Sequence, residues 1–585
     1  MKNDYIVKKL YISFVVVSIL SALTATAGML IDNIIVGAFL GDEALGAMGI
    51  IGPISLIFSA FGNICSGGGT AKASQALGKG DTQKMHQIFS ITMIFVLVSG
   101  ALLTIVGLTY STQIAQLLGA QESLLEPSVD YLRGYFLGAI PTIMTTALIG
   151  FVKIDGSPRL PLLCIIVMTV VNIILDVLMV TVFDLGMFGM ALATSLSYCM
   201  AVLTALTHFT KKTATLRIIK PKQIIKELGS MITTGAPTAI SRICDTIKVM
   251  VLNNMLVTIV GIGSVTALNI RTQANNFFGA FIMGLAQASV PLVGMFYGEE
   301  DQSALKDTLK NTLKLGLFMN CFVAILLVLG APLFVNMMNI TDLTTKQMSI
   351  SAVRLFAVGM PFTLINLALM SFYQSTKNTG MATMICVLQS LVYTTLLASI
   401  LIRPFLDMGV WMAFFGAECF TILTTLISTI VYKRKFPRNL EDFMRMKEGF
   451  GTKQEDKLEI SIGNNMNELM TISQGIHKFG KGRNISEKLL NELSLCIEEM
   501  GSNIIKYAFH PGEKKWFDIM ILDKEDSLIV RLRDNGAAFD PTKFLIENPN
   551  SEEFYGIRII QGLASDMQYR RSLDLNNLII KLNKF

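Results

Sequence analysis

From about Leu10 to Tyr432 long apolar runs alternate with short polar breaks, and from Lys433 onward charged and polar positions rise to the density of a water-soluble domain. The pattern predicts two parts. At 1.5 Å rise per residue a bilayer takes about 20 apolar residues to cross. Twelve segments meet that length: 10–40, 44–77, 87–110, 124–151, 160–183, 187–209, 228–260, 263–297, 309–336, 347–374, 381–405 and 410–432. Several exceed the minimum, which implies tilt or extension beyond the hydrocarbon.

After a polar linker, 437–456, the periodicity changes. Leu458 to Ile462 alternates as a strand, and Met466 to Lys478 reads as a helix. A second helix, Glu487 to Tyr507, carries apolar residues at 489, 493, 496, 497, 500, 504 and 507. Trp516 to Leu522 and Leu528 to Arg533 read as a hairpin around Lys524–Ser527, followed by a helix at Gly556–Ser565 and a strand at Asn577–Leu582. That order is α+β.

Composition agrees with a polytopic membrane protein: 585 residues, 52% hydrophobic and 16% charged, with mean hydropathy +0.55. The net charge of +6 comes largely from alternate loops, among them Lys79 and Lys84, Arg159, Lys211 to Lys226 and Lys306 to Lys314. Basic residues are held on the cytoplasmic side, so both termini are expected there, and no nucleic-acid partner is expected. Seven of the eight cysteines lie in apolar runs and no CxxC pair occurs, so disulfides and structural zinc are not expected. The first apolar run is too long for a cleavable leader.

The halves repeat. Gly78 and Asp81 recur as Gly298 and Asp301, and Phe136 and Pro141 recur as Phe356 and Pro361, every pair 220 residues apart. A constant offset across six spans implies two six-helix lobes, 1–220 and 221–436, with a substrate cavity between them.

Polar side chains inside spans stand out against this background. Asp32 lies in the first, and Asn172 and Asp176, four residues apart on one helix face, lie in the fifth. An ionisable group at the bilayer centre costs about 2.5 kcal/mol or more, and such groups mark ion or substrate paths. With the Thr194 hydroxyl of span 6 they offer oxygens suited to a small hard cation, and the carboxylates suit a proton equally. In span 7, Asp245 is flanked by Arg242 and Lys248, which leaves a structural ion pair and a second ion or substrate site both open. Arg271 and Glu418 are further candidates for lining the cavity of the second lobe.

Ile31–Gly37, Gly67–Asp81, Asp155–Arg159 and Gly284–Gly294 resemble segments of the multidrug and toxic compound extrusion (MATE) transporters, and the resemblance covers residues 1 to about 440. It implies a twelve-helix, two-lobed antiporter in the cell membrane, bacterial in type, that exports organic and often cationic amphipathic compounds in exchange for Na⁺ or H⁺. It also implies a cation site at Asp32, Asn172, Asp176 and Thr194. The subgroup that uses an acidic residue in span 10 is not matched, since none lies between Met348 and Gln374.

In the soluble part, Glu499 and Asn503 share a helix face, the spacing that sets a base beside a Mg²⁺ ligand. Asp534 at a strand end can accept from an adenine amino group, with Gly536 letting the backbone approach. Residues 457–585, including Gly556–Tyr569, resemble the GHKL ATP-binding domain of anti-sigma-factor serine kinases. The resemblance implies ATP and Mg²⁺ held by Asn503, Asp534, Gly536 and Gly556, with Glu499 as base. Ala538 stands where a glycine is usual, and Glu553 and Phe554 occupy the lid region. A domain kept only as a protein-binding module is the other reading.

The expected architecture is therefore an all-α membrane part of twelve transmembrane helices with a cytoplasmic GHKL-type α+β domain. The expected function is organic-solute efflux by Na⁺ or H⁺ antiport, with the tail as a nucleotide-binding regulator that meets a cytoplasmic protein partner. The alternative is a membrane signalling protein whose tail acts as an anti-sigma-like serine kinase. ATP-driven pumping is disfavoured, because no GxxxxGK[ST] loop occurs.

Overall fold

The computed structural model describes residues 5–584 apart from 121–123, 212–213, 339–341, 448–449, 453, 482, 484, 510–514, 548–554 and 574. Its contacts divide it into two units. One comprises 11–299 and 308–445; the other comprises 5–10, 300–307 and 446–584.

The first part of the chain is helical throughout. In order come α1 (Tyr5–Phe39), α2 (Asp42–Asn63), α3 (Thr70–Lys79), α4 (Thr82–Thr109), α5 (Ser111–Leu117), α6 (Leu125–Leu137), α7 (Ala139–Ile154) and α8 (Leu160–Thr181). Then follow α9 (Gly186–Leu206), α10 (Ile224–Ile259), α11 (Ile262–Gly298), α12 (Gln302–Asn336), α13 (Leu343–Ser375), α14 (Thr379–Val387), α15 (Tyr393–Lys433) and α16 (Leu440–Met444). Among the described residues nine helices are long and apolar enough to cross a membrane, or ten if α6 and α7, bent by 47°, form one span. The twelve expected segments differ from that count for two reasons. Segments 11 and 12 fall in one run, Thr379–Lys433, and segment 7 corresponds to α10, which carries the charged Arg242, Asp245 and Lys248.

The run breaks at Leu406, whose φ of 52° lies outside the helical region. Pro404 withholds an N–H there, and a methyl group on Gly409 would lie 2.1 Å from the Leu401 carbonyl oxygen. The bend between α6 and α7 falls at Gly138, where an added methyl group would lie 2.3 Å from Ser195 Oγ. Val98, Leu102 and Ile105 form an exposed stripe along α4 at helical spacing. In lipid such a stripe is solvated rather than stranded.

The repeated Gly-x-x-Asp motif has a local cause. Gly80 takes left-handed φ (74°) and ends α3, and Asp81 then accepts from Lys84 N at 2.8 Å to cap α4. In the second copy Glu300 takes the left-handed position (φ 56°) and Asp301 caps α12 through Ala304 N at 3.0 Å. The Asp155 loop is also structural: its carboxylate accepts from Thr215 N and Leu216 N, and lies 2.7 Å from Nε2 of buried His208.

In the other unit β1 (Lys457–Gly463), β2 (Trp516–Asp523), β3 (Ser527–Asp534), β4 (Asp566–Ser572) and β5 (Leu575–Asn583) form one antiparallel sheet in the order β1-β2-β3-β5-β4. Leu458 pairs with Ile521, and Val530 with both Ile521 and Ile580, so one sheet face is apolar. That face packs with α17 (Met466–Met470), α18 (Ile472–Gly480), α19 (Glu487–Asn503) and α21 (Tyr555–Leu563) through Leu469, Ile476, Leu493, Ile497 and Ile560. α20 (Pro541–Glu547) completes the fold. β4 and α20 carry no expected counterpart. β4 reads Asp-Met-Gln-Tyr-Arg-Arg-Ser, a mostly polar edge strand whose alternation is carried by Met567 and Tyr569 alone, and such edges are kept charged to prevent pairing with other chains.

Candidate functional site

α1 and α8 approach closely because Gly28 leaves room: a methyl group there would lie 3.3 Å from Thr169 Cγ2. One turn further along α1, the Asp32 carboxyl comes within hydrogen-bonding reach of Asp176. Asn172 Nδ2 donates to Asp176 Oδ2 at 2.8 Å. Asp176 is fully enclosed and Asn172 is buried, while Oδ1 of Asp32 and Oδ1 of Asp176 are buried without a partner. Two orphaned carboxylate oxygens fit a small cation or a proton. The Thr194 hydroxyl donates back to the Met190 carbonyl at 3.2 Å and keeps its lone pairs. Tyr131 and Tyr198 lie within electrostatic range of Asp32. Among the described residues no three His, Cys, Asp or Glu side chains gather as a metal group, so the oxygen set here is two carboxylates with an amide.

A second polar site is a cavity of about 400 Å³ in the same unit. Asp245, Arg271 and Glu418 all line it. Lys248 Nζ pairs with Asp245 Oδ1 at 2.6 Å. Glu418 accepts from Thr363 Oγ1 at 2.8 Å, Gln389 Nε2 at 3.0 Å and Asn366 Nδ2 at 2.7 Å. The Arg271 guanidinium stacks 3.4 Å from the Phe414 ring centroid and 5.4 Å from that of Phe356.

In the soluble unit, Met500, Asn503, Tyr507, Phe539, Tyr569 and Leu578 wall a mostly apolar slot of about 60 Å³ that Asp534 and Asn576 also line. Asp534 Oδ1 accepts from Gly536 N and Asn576 Nδ2, both at 2.8 Å. Burial pushes the Asp534 carboxyl above the usual carboxylate range, and those two donors pull it part of the way back. Asn503 Nδ2 is buried without a partner. A mostly apolar slot that also presents a carboxylate acceptor and an orphaned amide offers the contacts a purine base uses. Gly536 answers to packing, since a methyl group there would lie 2.3 Å from the Ala508 carbonyl oxygen. Glu499 lies against Gly556, where an added methyl group would stand 2.0 Å from Oε2. Glu553 and Phe554 lie outside the described residues.

The MatE family model matches residues 18–178 and 237–400, together more than half of the chain. The chain belongs to the MatE family. A second model, the histidine kinase-like ATPase domain, matches residues 464–582. The expected fusion of a MATE membrane part with a GHKL-type domain is therefore present, in a multi-pass membrane protein. Among curated proteins, the MatE chain is 28% identical over 385 residues to the multidrug export protein MepA of Staphylococcus saprophyticus, covering 64% of this chain and 82% of that protein. It is 26% identical to MepA of Staphylococcus aureus (strain bovine RF122), covering 62% and 80%. In fold it is similar to the crystal structure of MATE in complex with MaD3S (TM-score 0.67, 20% identity, 73% of this chain and 97% of that one). It is also similar to the outward-facing conformation of a multidrug resistance MATE family transporter (TM-score 0.67, 21% identity, 72% and 94%).

Several site residues carried no local sign in the sequence. Tyr131 and Tyr198 come to the carboxyl pair from α6 and α9. Asn366 and Gln389 hold Glu418 from α13 and from the π-turn Leu388–Val392, and Asn576 holds Asp534 from β5. The one available signal was an uncapped amide inside an apolar run, which fits Asn366.

Proposed function

We propose that this chain is a secondary active exporter of organic solutes, coupled to Na⁺ or H⁺ through Asp32, Asn172 and Asp176 with Thr194 as a further oxygen donor. The observation that carries this reading is the pair of orphaned carboxylate oxygens enclosed between α1 and α8. In a family of membrane transporters, an enclosed acid pair with no fixed counter-ion among the described residues is a site to be filled and emptied. The names of the curated relatives support multidrug export as the outcome. Asn172 orients Asp176 by donating to one oxygen, which leaves the other buried without a partner. The coupling ion supplies the charge that cancels the pair; the residues supply a dry, oriented pocket.

The basic loops support cytoplasmic termini in a bacterial plasma membrane. The soluble domain acts there as a regulator that binds a nucleotide between Asn503 and Asp534 and a protein partner, with 1–220 and 221–436 as the transporting lobes and 437–456 as the linker.

The test is dye movement in proteoliposomes under imposed Na⁺ or pH gradients, with wild type and Asp176→Asn compared. Movement should follow one gradient, and the substitution should abolish it. Unchanged gradient-driven movement in the variant would overturn the site.

A further inference from the structure

The cavity of the second lobe carries more charge than the ion reading uses. Three basic side chains, Arg242, Lys248 and Arg271, and two acidic ones, Asp245 and Glu418, line it. The two acids are already committed. Asp245 holds the Lys248 ammonium at 2.6 Å, and Glu418 takes three donors from neutral side chains at 3.0 Å or less. A carboxylate so occupied has little left for a cationic guest.

The arginines differ. Among the described residues neither Arg242 nor Arg271 has a carboxylate within ion-pairing distance, although Glu418 and Asp245 lie close enough to act on Arg271 electrostatically. Arg271 is held by the rings of Phe414 and Phe356, contacts that use none of its five N–H donors. Its edge is thus presented to the cavity with the fork geometry that matches a carboxylate. Phe415, Leu367 and Met283 supply apolar wall beside it, and about 400 Å³ is room for a drug-sized ligand.

We propose that this cavity selects amphipathic organic solutes that carry a carboxylate, as anions or zwitterions, and that Arg271 takes the carboxylate while the phenylalanines take the ring system. This rests on the exporter reading above and names its substrate class, in place of the cationic compounds that the family resemblance led us to expect. A cation in the same place would face Arg271 and Arg242, neither of which has a carboxylate partner within ion-pairing distance among the described residues, and like charge there is unfavourable.

The experiment uses the full chain in nanodiscs and two probes: a rhodamine with a free carboxylate, and the methyl ester of the same dye. At neutral pH the first is a zwitterion and the second a cation of nearly the same shape. Fluorescence anisotropy should show the free acid binding about tenfold or more tighter, the difference a charge-assisted hydrogen bond makes. Arg271→Gln should remove that preference, weakening the acid about tenfold and tightening the ester; Arg271→Lys should keep part of it. If Arg271→Gln does not fold, Arg242→Gln tests the same field and should reduce the preference. Equal binding of acid and ester by wild type, or an unchanged acid affinity in Arg271→Gln, would overturn the proposal. Reconstitution separates it from the exporter reading. Selective binding without gradient-driven movement would sink the exporter and leave the cavity's selectivity standing; gradient-driven movement of the ester with no preference for the acid would do the reverse.

Discussion

Gly78 and Gly298, 220 residues apart in the chain, lie against each other where α3 crosses α11. A methyl group on Gly78 would stand 2.0 Å from the Met295 carbonyl oxygen and 3.0 Å from Gly298 Cα; one on Gly298 would stand 2.2 Å from the Gln75 carbonyl oxygen. The repeated glycine is thus one of the points where the two halves touch through backbone, as they also do where Gly68 meets Met231 and Gly235. Small residues at such crossings are what lets membrane helices pack without a hydrophobic driving force.

Because the obstacle is main chain, no rotamer change relieves it. Gly78→Ala and Gly298→Ala should each cost more than the roughly 1–3 kcal/mol of ordinary overpacking. Thermal stability of the detergent-solubilised chain measures this. Gly49→Ala, at a position with no heavy atom within 4 Å of the added carbon, should melt like wild type. A Gly298→Ala protein as stable as Gly49→Ala would show that the crossing is loose.

Asn172 orients Asp176 rather than binding the ion by itself, so its replacements should grade. Asn172→Asp adds a third carboxyl to the enclosed pair and should weaken gradient-driven movement strongly, because like charges in low dielectric repel. Asn172→Ala removes only the 2.8 Å hydrogen bond and should cost about 0.5–1.5 kcal/mol, or roughly threefold to tenfold in apparent ion affinity. Titrating dye movement against the coupling ion in proteoliposomes gives both numbers. Equal effects of the two changes would argue that Asn172 serves only packing.

Much of this arrangement was legible in the chain because membranes restrict the options. Apolar run length gave the helices, and the 220-residue offset gave the internal symmetry. The break at Leu406 lies inside the short interval expected between segments 11 and 12. What was not legible came from partners remote in sequence. Asp32 and Asp176 are separated by six helices, α2 to α7, and the close approach of α1 to α8 at Gly28 and Thr169 lets them meet. Asp245 left two readings open from spacing alone, and the structure adds that it pairs with Lys248 on a cavity wall, a matter of rotamer and not of sequence. In the soluble domain the core strands were readable from alternation, whereas β4, polar on an edge, offered only Met567 and Tyr569, too short a period to read.

The Asp534 carboxyl gives a pH-dependent prediction. Its folded value is raised by burial, so its contribution to stability is fully present below the unfolded value of about 3.9 and is lost as pH rises through the folded value. At neutral pH the wild-type domain therefore carries a penalty. Asp534→Asn keeps an oxygen to accept from Gly536 N and Asn576 Nδ2 while removing the charge. Hydrogen exchange in β3 and β5 of the full chain should be slower in Asp534→Asn at pH 7, with the difference shrinking as pH falls toward 4. The same variant places an N–H₂ where Oδ2 stood and should lose nucleotide affinity. Stability unchanged at both pH values would mean that the carboxylate is solvated better than its burial suggests.

The soluble domain's role is tested by removing it. If it regulates, deletion of residues 456–585 should leave gradient-driven dye movement at its basal rate and abolish any response to added nucleotide. If the membrane part instead serves the tail, as in a signalling protein, the deletion should leave nothing measurable in the transport assay. Asn503→Leu distinguishes loss of the domain from loss of its ligand. The substitution removes the orphaned amide and fills part of the slot with apolar volume, so the sheet should persist while nucleotide binding fails. A full-chain Asn503→Leu protein that moves dye at the basal rate and ignores nucleotide, like the deletion, would tie regulation to occupancy of that slot. One that still responds to nucleotide would place the ligand elsewhere.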